Sequence, residues 1–174
     1  MRSPTPLSLL GAGLVAIVIA VLAAQTATSS RAAVPTCTAS QLKGKLLDSQ
    51  GAAGTILFSV TLENSGDACS LKGYPGLRIM GAHRLLPTRA VHGGLAVLNS
   101  TPKRVLLKHL GRASVLISYS DVPVGSESSC PVGKALRLRP PGASGRLTVR
   151  VSTNACGRGT LHESPVLAGI RHAA

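Results

Sequence analysis

Residues 55–64, TILFSVTLEN, place Ile56, Phe58, Val60 and Leu62 on one side and Thr55, Ser59, Thr61 and Glu63 on the other. A period of two is the signature of a strand with one face in a core. The same pattern returns along the chain. Leu42 and Leu46 alternate with Lys43 and Lys45, and GAAG at 51–54 joins that run to the next as a hairpin. Ala113, Val115, Ile117 and Tyr119 share a face. Leu136 and Leu138 point in while Arg137 and Arg139 point out; Leu147, Val149 and Val151 point in while Arg146, Thr148 and Arg150 point out. Gly- and Pro-rich turns such as NSGD, YPG, HGG, VPVGSESS and RPPGASG separate these runs. Residues 83–104 are the least regular and read as short strands with a long loop. Several short alternating strands between such turns predict an all-β, antiparallel β-sandwich.

Ahead of this region, Arg2 precedes eighteen uncharged, proline-free residues, 7–24, followed by a polar stretch ending in small residues. This is the arrangement of an export signal, with Ser30 and Ala32 before a cut between Ala32 and Ala33. The run is also barely long enough to span a bilayer as a helix, so a retained single-span anchor is the alternative. Arg2 and Arg31 flank it evenly and leave its orientation open. No cysteine closes the apolar run, which excludes a lipid-modified N-terminal cysteine. The expected organisation is therefore a signal peptide or anchor over 1–32, a linker over 33–36, the β-domain over 37–168 and a tail over 169–174. The exported part is expected outside the cell, secreted or at the membrane or wall.

Four cysteines, Cys37, Cys69, Cys130 and Cys156, all lie beyond that segment. Four allow three connectivities, and no C-x-x-C suggests zinc or redox chemistry. Two structural disulfides fit an oxidising compartment. The pairing Cys37–Cys69 with Cys130–Cys156 closes two independent loops and is the one expected, each bridge contributing about 3–4 kcal/mol on a chain-entropy argument.

The segment NSGDACSLKGYPGL, with the cysteines around it, resembles a known family, the actinobacterial exported proteins carrying domain of unknown function 4232. The residues that carry the resemblance are Asn64, Gly66 and Cys69, then Leu71, Gly73, Tyr74, Pro75 and Gly76. Cys130 ahead of Pro140 and Pro141, and Cys156 ahead of Ser164 and Pro165, complete the pattern. It departs at KHLGRAS, where Leu110 stands in place of the family's proline, implying a looser turn. The resemblance implies a disulfide-stapled, immunoglobulin-like domain, exported or membrane-tethered, with no established activity.

Chemistry is weakly signalled. No G-x-S-x-G lifts a serine onto a strained turn. The six acids show no spacing that pairs carboxylates, and aromatics make up 2% of the chain, so the stacking floor of a sugar or single-strand nucleic-acid site is missing. His83 and His92 share the irregular region without a metal-ligand spacing, so no metal and no cofactor are expected. Pro75 lacks the N–H that an anion cradle at GYPG would need. Asn99-Ser100-Thr101 matches a glycosylation sequon by chance composition. What remains is charge. The net charge is +13, and seventeen of the nineteen basic residues lie beyond residue 32 against all six acids. Export removes nucleic acid as the partner, leaving an anionic envelope polymer, lipid head groups or an acidic protein. Membrane contact is otherwise expected only if the N-terminal segment is retained. Arg137, Arg139, Arg146 and Arg150, on two strands joined around PPGASG, form the expected anion-binding patch. The expected function is a non-enzymatic binding or scaffold domain; the alternative is a hydrolase assembled from loops.

Overall fold

The computed structural model describes residues 33–173, and the expected export segment lies outside them. The described part is all-β, built from eleven strands. They are β1 (Leu42–Ala52), β2 (Thr55–Asn64), β3 (Cys69–Leu71), β4 (Gly76–Met80), β5 (Arg89–His92) and β6 (Val105–Leu107). After them come β7 (Arg112–Ser120), β8 (Val132–Arg139), β9 (Leu147–Asn154), β10 (Thr160–Glu163) and β11 (Leu167–Ala168). None of the described residues form a helix long and apolar enough to cross a membrane.

The largest sheet runs β1-β2-β7-β10-β5, with β11 also pairing β7. A second runs β4-β8-β9, and β3 pairs β6 alone. All pairings are antiparallel except β10 with β5. The alternating residues form one core. Phe58, Val60 and Leu62 of β2, and Val115 and Ile117 of β7, cluster with Leu77 and Ile79 of β4, Leu136 and Leu138 of β8 and Val149 of β9. Burial of such a cluster is the main drive for folding. Gly44 of β1 faces this core, and β9 comes so close that a Cβ there would sit 2.6 Å from Val149 Cγ2. Both disulfides pair as expected, Cys37 with Cys69 and Cys130 with Cys156.

One strand face departs from the expected pattern. The alternation places Ser59 on the solvent face, yet Ser59 and Ser114 are each 0% exposed. A bulge at Leu47 shifts the β1–β2 register so that Asp48 stands opposite Ser59. Residues 169–173 then cross the sheet over these positions. Arg171 donates its N–H to Ser114 Oγ, Ser59 Oγ donates to the Arg171 carbonyl, and Asp48 receives the Ala173 N–H and pairs with His172. The C-terminal residues are thus a strap over β7, β2 and β1, and the serines beneath it are the hydroxyls that satisfy its backbone.

Candidate functional site

The residues of NSGDACSLKGYPGL fold into two corners. Asn64, buried at the end of β2, accepts the Gly66 N–H through Oδ1 and donates through Nδ2 to the carbonyls of Asp67 and Leu107. This is an Asx-turn. The Asn64 backbone also holds the turn at Leu110 and Gly111, where Leu110 adopts φ 60°, a left-handed conformation unusual for a leucine. Cys69 and Leu71 are core residues of β3. Gly73, at φ 118°, makes the second corner, Pro75 is buried and Gly76 opens β4.

Tyr74, held on that corner, stacks on His92 with ring centroids 3.7 Å apart and planes 5° from parallel. His92 Nε2 lies 3.4 Å from Glu163 Oε1. Glu163 stands beside His92 in the β5–β10 register and is 1% exposed. Its Oε2 has no hydrogen-bond partner among the described residues. Burial pushes this carboxyl up to about 8. A carboxyl that stays protonated at neutral pH can donate to the imidazole, and the two form an acid–histidine pair under an aromatic cover. A hydrolytic site would need a nucleophile on the histidine. Among the described residues no hydroxyl or thiol hydrogen-bonds to His92. His83 lies in an exposed turn at residues 81–84, and no group of three or more metal-ligating side chains occurs among the described residues. The sequence marks His92 and Tyr74 separately and gives Glu163 no distinction among the six acids beyond its place in the run TLHE, where Leu161 and Glu163 share the inward face.

The arginines gather on the outer face of the β4-β8-β9 sheet. Leu138 pairs with Leu147 and Leu136 with Val149, so these four point inward and Arg137, Arg139, Arg146 and Arg150 take the opposite parity. β4 adds a residue the sequence reading left out. Arg78 stands directly opposite Arg137, and Gly76 opposite Arg139. Arg78 had a local signal, since GLRIM alternates as the other strands do. Gly76 carries no side chain on this face, and Arg139 lies across it. None of the five guanidinium groups lies within salt-bridge distance of a described carboxylate. Four of the six acids are engaged elsewhere: Glu63 with Arg112, Asp48 with the strap, Glu163 beneath His92, and Glu127 in a turn. Glu127 accepts the backbone N–H groups of Val124, Gly157 and Arg158. The N–H of Arg158, then those of Val124 and Gly157, hold the Glu127 carboxyl below its usual range. Two like charges directly opposite across a sheet repel unless a counter-charge is present, so the Arg78–Arg137 pair favours an anion over this face.

A family model described as "Domain of unknown function (DUF4232)" matches residues 37–166. No curated protein and no solved structure matches the chain.

Proposed function

The chain belongs to the family of the domain of unknown function DUF4232, and from that premise we propose that it is an exported, non-enzymatic binding domain that docks on an anionic polymer of the cell envelope. In this reading the domain is an immunoglobulin-like β-sandwich from an actinobacterial envelope. The two disulfides support folding in an oxidising compartment. The observation that carries the binding reading is the arginine face. Arg78, Arg137, Arg139, Arg146 and Arg150 share one side of a sheet with no carboxylate in reach. Arginine forks suit phosphate and carboxylate groups, and release of counter-ions from a polyanion adds to the affinity.

The test is sedimentation of the full chain with isolated cell-wall material, with and without Arg78→Glu, Arg137→Glu and Arg150→Glu together. The proposal expects binding that weakens as salt rises and is lost in the triple variant. Unchanged co-sedimentation would show that the face binds nothing there. Transfer of binding to protein-free anionic vesicles would place the docking on lipid instead. A hydrolase remains the second reading because His92 meets a buried carboxyl. Turnover of ester or glycoside substrates that vanishes in His92→Ala would establish it.

A further inference from the structure

A second cationic feature lies away from the arginine face, around the chain that leads into Cys37. Residues 35–37 run alongside β3: Thr36 bridges Ser70, Ser70 donates its N–H to the Pro35 carbonyl, and Cys37 donates to the Ser70 carbonyl. Arg104, just ahead of β6, is tied into this junction. Its Nε donates to Ser70 Oγ at 3.0 Å and its Nη2 to the Val34 carbonyl at 2.7 Å. A free surface arginine loses much rotamer freedom on binding a ligand. Arg104 has already lost it and keeps three of its five N–H groups unused among the described contacts.

Arg104 lies between two hollows and lines both. One, of about 370 Å³, has Lys72, Thr36 and Ser70 on its walls, closed by Pro141 and Gly142. The other, of about 470 Å³, has Lys103 and Arg171 with the hydroxyls of Ser100 and Thr101, and an apolar side at Val166 and Leu167. Neither hollow is lined by a carboxylate. Each thus has a cation of its own, hydroxyl donors and one shared, pre-positioned arginine.

We infer that these two hollows form one binding site for a linear polymer with repeated phosphodiester groups, Arg104 bridging successive phosphates. A lone anion would use a single hollow. A chain with anionic groups at intervals uses Lys72 and Arg104 on one side and Lys103, Arg171 and Arg104 on the other. Its uncharged linkers lie against Leu167. The tetrahedral phosphate suits the guanidinium fork and the lysine point charges. This site does not rest on the arginine face, and either can fail without the other.

Titration calorimetry of the full chain with a synthetic glycerol-phosphate oligomer tests it, with inorganic phosphate as the single-anion probe. The site expects the oligomer to bind and inorganic phosphate to bind far more weakly. Because Arg104→Ala removes two structural hydrogen bonds and can disturb folding, the decisive variant is Lys72→Ala with Lys103→Ala. Neither lysine makes a described hydrogen bond. This double variant should weaken the oligomer roughly ten- to a hundredfold, while Lys43→Ala with Lys45→Ala, two exposed lysines of β1 outside both sites, leaves it within about twofold. Equal affinity in the wild type and the variant lacking Lys72 and Lys103 overturns the inference, as does inorganic phosphate matching the oligomer. Loss in the triple arginine-face variant alone assigns the oligomer to that face and also overturns it.

Discussion

Replacing Glu163 by glutamine should abolish the loss of stability that this residue causes between about pH 5 and pH 8. Glu163 is 1% exposed, one oxygen lacks a partner among the described residues, and burial raises its carboxyl from 4.5 to about 8. Because the folded value lies above the unfolded one, the folded chain keeps a proton that the unfolded chain releases. The stabilisation is complete below about pH 4.5 and is lost as pH rises through 8. Linkage sets the slope at about 1.4 kcal/mol per pH unit. Over three and a half units that is at most about 5 kcal/mol, and relaxation around the charge together with the His92 contact brings the expected figure to about 3 kcal/mol. Glutamine mimics the protonated acid and removes the titration. Urea denaturation of both proteins at pH 5, 6, 7 and 8, disulfides intact, measures it. Near pH 5 the two should be similar. Near pH 8 the variant should be more stable by about 3 kcal/mol. Subtracting the curves cancels the four histidines that do not contact Glu163, namely His83, His109, His162 and His172. Parallel curves across that range would refute the argument, because they would mean the folded carboxyl titrates like an unfolded one.

Three further outcomes follow from the packing. Gly44→Ala places a Cβ against Leu147 and Val149 and should cost about 1–3 kcal/mol in urea denaturation. Ending the chain at Ala168 removes the strap and leaves Ser59, Ser114 and Asp48 without their backbone partners; the truncated protein should lose about 2 kcal/mol and show faster hydrogen exchange along β7, whose face the strap covers. Glu127 is held below its usual range by backbone N–H groups, so its hold on the turn at Gly157 and Arg158 is complete above the ordinary value of 4.5 and fails as pH falls through the carboxyl's own, lower value. The protection factors of those two amides, their exchange rates relative to an unstructured peptide at the same pH, should fall on acidification in the wild type and be low at all pH values in Glu127→Ala.

The alternation in TILFSVTLEN and GRLTVRVS places inward and outward side chains before any partner strand is known, because the period of two belongs to the backbone itself. That is why β1, β2, β7, β8 and β9, the core leucines and valines and the outward parity of Arg137, Arg139, Arg146 and Arg150 are legible in sequence. The two disulfides, between cysteines 32 and 26 residues apart, have no such local period behind them; they are expected from an even cysteine count in an oxidising compartment and from the pairing that closes two independent loops. The three-residue β3 and β6 and the two-residue β11 are too short to show a period, so they are visible only once paired.

Which strand lies beside which is settled by long-range packing, and the site depends on it. Arg78 joins the arginine face only because β4 pairs with β8. Ser59 is buried only because the strap, more than a hundred residues later in the chain, crosses the sheet at a register set by the bulge at Leu47. Tyr74 reaches His92 only because the GYPG corner closes over the β5–β10 edge, and His92 meets Glu163 only because β5 pairs with β10. Sequence alone determined the strand class of this chain and most of its sidedness, since both rest on neighbours within a few residues. The tertiary structure decided which charges stand together and which carboxyl is shut away from water, since burial and like-charge proximity exist only between segments that the fold has brought into contact.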